Sequence, residues 1–171
     1  IEKRIQTPMS NDELEKYLAV RPEDIIKYSD LSDYQTIQQL LPKEDDFRII
    51  LIEEKQNFGH FVSVQRQGKV ITYFNSYGAK WDTDWRFIPR LVRIILGQNT
   101  NDLTRLFKQA EKDGFKVEYN KKRLQKLSPK IMTCGRWVVF WRHFSQMGYT
   151  LSQFQKKIEE LRDENTPTKG R

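Results

Sequence analysis

Two runs of β-forming residues, 61–65 (Phe-Val-Ser-Val-Gln) and 70–74 (Val-Ile-Thr-Tyr-Phe), flank Arg66-Gln67-Gly68-Lys69. Gly68 can supply the positive φ of a tight turn there. The spacing predicts a β-hairpin, and a hairpin brings the outer ends of its two strands together. His60 stands just before the first run and Asn75 just after the second, so they are expected to meet although 15 positions separate them. Taken singly, His60 fits a hydrogen-bonded loop histidine and Asn75 a turn former ahead of Ser76-Tyr77-Gly78. Their joint placement favours a paired site, in which an asparagine side chain accepts the Nδ1–H bond that fixes an imidazole tautomer.

The remaining pattern is mixed. Ser10-Asn11-Asp12-Glu13 is a capping box that predicts a helix from Asn11 through Leu14, Tyr17 and Leu18. Pro22 interrupts, and Ser29-Asp30-Leu31 with Tyr34, Ile37, Leu40 and Leu41 predicts a second short helix ending before Pro42. Residues 47–52 (Phe-Arg-Ile-Ile-Leu-Ile) read as a largely buried strand, followed by a polar loop over 53–57. Two helices are expected between Asp84 and Ala110, broken near Gly97, and a strand over 115–119. Cys134 to Phe144 reads as a helix apolar all round, which belongs in a core. Thr150 with Gln153 caps a final amphipathic helix through Leu161, and 165–171 reads as a flexible tail. The expectation is one α+β domain over 1–171, with a central, mostly antiparallel sheet flanked by helices.

Cys134 is the only cysteine of the 171 residues, so no internal disulfide can form, and with only His60 and His143 besides, a structural zinc site lacks ligands. A thiol in the first turn of a helix is helped toward the thiolate by the helix dipole and by a nearby imidazole. Gly135, with no side chain, would let a substrate carbonyl approach the backbone N–H groups. From the helix alone, an inert buried thiol and a nucleophile fit Cys134 equally.

Three motifs in series carry a resemblance. Gly59-His60-Phe61, then Tyr73-Phe74-Asn75-Ser76-Tyr77-Gly78, then Thr133-Cys134-Gly135-Arg136-Trp137 resemble the adenain and SUMO-protease clan of cysteine peptidases over about residues 49–144. That clan shows His-Trp, then Asp, Glu or Asn in an F-x-x-[FY]-G turn, then a Gln shortly before Cys-Gly. The wording around Cys134 most resembles capsid-maturation proteases of virophages, Polinton-like elements and large DNA viruses. The resemblance implies a papain-like fold with the nucleophile at a helix N-terminus: Cys134 as nucleophile, His60 as general base, Asn75 as orienting residue. Three departures stand out. Phe61 replaces the usual Trp as an aromatic lid beside the imidazole, and Asn75 replaces the commoner carboxylate, which gives orientation with less charge stabilisation. Ser128, followed by Pro129, occupies the position six before the nucleophile where SUMO proteases carry the oxyanion glutamine. The stretch 119–125 resembles the viral branch, with its longer spacing, and this assigns the side-chain oxyanion donor to Gln125, with Ser128 as the alternative.

The resemblance further implies a cysteine endopeptidase acting on capsid or scaffold precursors. Adenain's disulfide-linked peptide cofactor has no second cysteine to join here. The net charge of +7, from 30 Lys and Arg against 23 Asp and Glu, favours polyanions. Lys121, Lys122, Arg123 and Lys126 form the densest basic run, either a solvated face or a contact that holds the enzyme on packaged DNA, with DNA as activator. No other cofactor and no metal is expected, and a monomer is. No run approaches the roughly 18 apolar residues of a membrane span, and Ile1-Glu2-Lys3-Arg4 lacks the apolar core of a signal peptide. The location expected is therefore intracellular: host cytoplasm, virus factory or virion. Two rivals remain: a protease that removes ubiquitin-like modifiers, and a non-enzymatic nucleic-acid-binding domain, for which no binding motif is found.

Overall fold

The computed structural model describes Glu13, Lys16, Trp85 and residues 21–83, 88–124 and 134–165, with side chains through Arg162. A 3-10 turn over Pro22–Asp24 leads into β1 (Ile25–Lys27), and a second over Tyr28–Asp33 precedes the one-turn helix α1 (Ile37–Leu40). Then follow β2 (Phe47–Lys55), β3 (Phe58–Gln67), β4 (Val70–Phe74), α2 (Arg90–Ile95), α3 (Asp102–Lys112), β5 (Lys116–Tyr119), α4 (Cys134–Gln146) and α5 (Leu151–Asn165). The first helix expected from Asn11 lies outside the described residues, apart from Glu13 and Lys16, both helical. So do residues 166–171; Asn165 ends α5.

The five strands form one mixed sheet in the order β1-β2-β3-β4-β5. Its centre is antiparallel, with Ile50 opposite Val62 and Gln65 opposite Thr72. Both outer pairings are parallel, β1 on β2 and β4 on β5, which corrects the mostly antiparallel expectation at the two edges. β1 is missed by sequence reasoning because three residues carry no measurable period. The fold class is α+β, with helices on both faces of the sheet.

Burial on both faces explains why β2 reads as a continuous apolar run rather than an alternating one. Ile50, Ile52, Val62, Val64, Ile71 and Tyr73 pack on Leu103, Leu106, Phe107 and Ala110, which form one stripe of α3 at helical spacing. Ile49, Leu51, Phe61 and Phe74 pack on the other face against Cys134, Val138 and Trp141 of α4 and Leu151, Phe154 and Ile158 of α5. Although α4 is apolar all round in sequence, only one side is in the core. Phe140 is 49% exposed, so the full burial expected of this helix is corrected.

Two local departures shape the site. The helix expected over 29–41 splits, because Thr36 caps a new turn by accepting the Gln39 N–H and holds its own backbone extended. The polar loop expected over 53–57 is mostly strand: β2 runs to Lys55 and β3 begins at Phe58, with the turn made by Asn57 at φ 60°. Buried Glu53 is held there by Gln98, whose side chain accepts its N–H at 2.8 Å and donates to its C=O at 2.8 Å. His60 is therefore the third residue of β3 and not a residue ahead of it.

Candidate active site

Gly59 sets how closely β2 and β3 approach beside His60. A Cβ on Gly59 would lie 1.9 Å from the Ile52 carbonyl oxygen, so no side chain fits. His60, opposite Ile52 and 8% exposed, projects toward the end of the sheet where β4 stops. The last β3–β4 pair is Ser63 with Phe74, and Asn75, fully buried, is the first residue past β4.

The His60 ring meets the Asn75 side chain, Nε2 to Oδ1, at 2.8 Å. The same Oδ1 accepts the Tyr77 backbone N–H at 3.0 Å. A backbone N–H can only donate, so the Asn75 atom facing it is the oxygen, and the imidazole nitrogen that meets this oxygen carries the proton. Nε2 is thus protonated in the neutral ring, and the lone pair belongs to Nδ1. The expected Asn75 contact to Nδ1–H is corrected: Nε2 is the nitrogen that reaches Asn75. Tyr77 also stacks on the imidazole, ring centroids 4.5 Å apart and planes 24° from parallel. The aromatic lid assigned to Phe61 is therefore Tyr77. The Phe61 ring lies in the core beside Cys134, and its backbone N–H donates to the Cys134 Sγ at 3.4 Å.

Cys134 opens α4 and is 4% exposed. Burial pushes its thiol pKa up, but the charge of His60, a hydrogen bond with His60 and the backbone N–H groups of Phe61 and Gly135 outweigh it, so the pKa lies below the ordinary value. A buried thiol at a helix N-terminus, facing an imidazole of fixed tautomer, is poised to become a thiolate.

The structure brings together Cys134, His60 and Asn75. Gln125 and Ser128 lie outside the described residues. Leu124, just before Gln125, is buried, and its N–H donates to the Ser76 carbonyl at 2.8 Å, so the chain enters that region tied to the Asn75 turn. Of the basic run, Lys122 pairs with Glu159 at 2.6 Å, and Lys126 lies outside the described residues. Among the described residues no three His, Cys, Asp or Glu cluster as metal ligands, and no helix is long and apolar enough to cross a membrane.

Sequence reasoning missed Asn120. This fully buried residue accepts the Asn75 N–H at 2.9 Å and donates to the Asn75 carbonyl at 2.6 Å. The only signal was its place directly after a predicted strand, which says nothing until the strand's direction is known.

The molecule is thus an α+β protein with a buried thiol, imidazole and amide gathered where the central strands of a mixed sheet meet a helix N-terminus. Its sequence is 31% identical over 139 residues to Uncharacterized protein V9 of Sputnik virophage, a match covering 81% of this chain and 76% of the relative. The chain belongs to the family of that virophage protein. No protein-family model matches it.

Proposed function

We propose that the chain is a cysteine endopeptidase of the adenain and SUMO-protease clan that cleaves capsid or scaffold precursors. The observation that carries this is the Asn75 oxygen, which accepts from both Tyr77 N–H and His60 Nε2 and so leaves the basic nitrogen of His60 for the Cys134 thiol. The virophage relative supports the viral branch over a protease for ubiquitin-like modifiers.

In this reading His60 Nδ1 takes the thiol proton, and the thiolate attacks the scissile carbonyl carbon. The Cys134 N–H and the Gln125 side chain hold the oxyanion. The proton on Nδ1 passes to the departing amine as the C–N bond breaks, leaving a thioester. Water then gives one proton to Nδ1 as its oxygen attacks the thioester carbon; as the C–S bond breaks, Nδ1 passes that proton to the sulfur, releasing the carboxylic acid and restoring the free thiol.

The test incubates the protein and Cys134→Ala with virophage capsid precursors and with precursors of ubiquitin-like modifiers, following cleavage by intact mass. Capsid cleavage that requires Cys134 supports the proposal. Cleavage of the modifier precursors alone moves the enzyme to the other branch, and no cleavage of either with an unreactive thiol overturns it.

A further inference from the structure

We propose that Asn120 is a positioning residue of the site: it holds Asn75 in the one orientation that fixes the His60 tautomer, and it ties that turn to the chain leading to Gln125. The inference rests on the thiol-protease reading above.

Parallel pairing of β4 with β5 places Tyr73 beside Tyr119, so Asn75 and Asn120 emerge at the same end of neighbouring strands. Tyr73 with Tyr119 is the last pair of that ladder. The Asn120 side chain supplies the next rung, because a carboxamide presents the same acceptor and donor as a peptide unit. Its Oδ1 accepts the Asn75 N–H at 2.9 Å and its Nδ2 donates to the Asn75 C=O at 2.6 Å, both bonds buried. The Asn75 carbonyl accepts the Gly78 N–H as well, at 2.8 Å. With the backbone pinned on both sides, the Asn75 side chain can turn only about its own bonds, and the Tyr77 N–H stops that rotation with Oδ1 toward His60.

The same contact extends along the chain. Gly78, at φ 72°, lies so close to the 120–124 segment that a Cβ would stand 2.7 Å from the Lys122 carbonyl carbon and 2.8 Å from the Arg123 nitrogen. The Leu124 N–H donates to the Ser76 carbonyl. The turn that orients the base and residues 120–124 are therefore packed backbone against backbone, with Asn120 at the start of the contact. A residue that merely filled the core would not need to bind the backbone of the residue holding the imidazole.

The experiment follows the rate of Cys134 alkylation by iodoacetamide across pH for the wild type, Asn120→Leu, Asn120→Asp and Asn75→Ala, with circular dichroism to establish folding and 15N-histidine spectra to read the His60 tautomer. Asn120→Leu keeps the branched shape and the number of side-chain heavy atoms and removes both hydrogen bonds. It should lower the neutral-pH rate about tenfold, as a small misplacement of reacting groups does, and shift the profile toward that of Asn75→Ala. The Nε2–H tautomer signal of His60 should weaken with it. Asn120→Asp keeps the acceptor but regains the donor only when protonated, so its rate relative to wild type should recover as pH falls. Variants that melt earlier yet keep the wild-type profile and tautomer, while Asn75→Ala changes both, would reduce Asn120 to a structural residue and overturn the inference. So would failure of both Asn120 variants to fold. If the wild-type thiol itself shows an ordinary cysteine profile, the protease reading falls first and takes the inference with it, a result visible before any variant is compared.

Discussion

His60 and Tyr77 stack with ring centroids 4.5 Å apart and planes 24° from parallel, while the Tyr77 backbone N–H binds the Asn75 oxygen that holds the same imidazole. One residue thus controls the ring from its face and, through Asn75, from its edge. Substitution separates the two roles, since Tyr77→Ala removes the stack and leaves the backbone donor. Aromatic pairs contribute about 0.5–1.5 kcal/mol beyond area burial, so Tyr77→Ala should lower kcat by about threefold to tenfold. Tyr77→Phe, which keeps the stack, should stay within about twofold of wild type on the same scale. Steady-state cleavage of a peptide substrate measures both.

The balance of effects on the Cys134 thiol gives a sharper expectation. Burial, the largest influence, raises its pKa, and His60 with the backbone donors of Phe61 and Gly135 brings it below the ordinary value. His60→Ala removes the charge and one hydrogen bond but not the burial. The thiol should then become less acidic than a free cysteine, and its neutral-pH alkylation slower than that of the urea-unfolded chain. The sign for stability follows by linkage: between the lowered folded pKa and the unfolded one, the unfolded chain binds more protons, so stability rises with pH across that window. The contribution is fully present above the unfolded pKa and is lost as pH falls through the folded one. Urea unfolding of wild type and Cys134→Ser across that window should show this slope only in the wild type.

Asn75 invites the substitution that restores the commoner carboxylate. Asn75→Asp keeps an oxygen for Tyr77 N–H and His60 Nε2 and adds a negative charge beside the imidazolium. The ion pair with the thiolate should persist to higher pH, moving the alkaline limb of the kcat/KM profile upward. Asn75→Ala should instead lower kcat about 100-fold across the range, because the ring loses its fixed orientation. An unchanged alkaline limb in Asn75→Asp would mean that the contact orients the ring and carries no electrostatic weight.

The hairpin is legible in the sequence because its turn chemistry and its apolar strands agree, and β4 occupies the expected residues, Val70–Phe74. From that hairpin alone the meeting of His60 and Asn75 follows. The nitrogen that makes the contact does not, since it depends on how far the ring projects past the ladder end, and β3 begins two residues before His60. Asn120 is hidden for a different reason. Its partnership with Asn75 requires β4 and β5 to run parallel, and short strands such as Lys116–Tyr119 carry no sign of their direction. Likewise Phe61 looks like the lid because it adjoins His60 in sequence. Successive residues of a strand face opposite sides, however, which sends its ring to the core and leaves the imidazole face to Tyr77.

Gly59 tests whether the site depends on how closely β2 and β3 approach. A methyl group there would stand 1.9 Å from the Ile52 carbonyl oxygen and 2.8 Å from the Glu53 Cα, both backbone atoms that no side-chain rotation can move. Gly59→Ala must therefore push the strands apart next to His60. Overpacking of this kind typically costs about 1–3 kcal/mol, and the backbone clash puts the expected loss at the upper end, near 3 kcal/mol by urea unfolding. The displaced strand carries both His60 and the Phe61 N–H that binds the Cys134 sulfur, so the folded fraction should also lose neutral-pH alkylation at Cys134. A variant that loses stability but keeps wild-type thiol reactivity would show that the imidazole is held by the Asn75 turn and not by the strand beneath it.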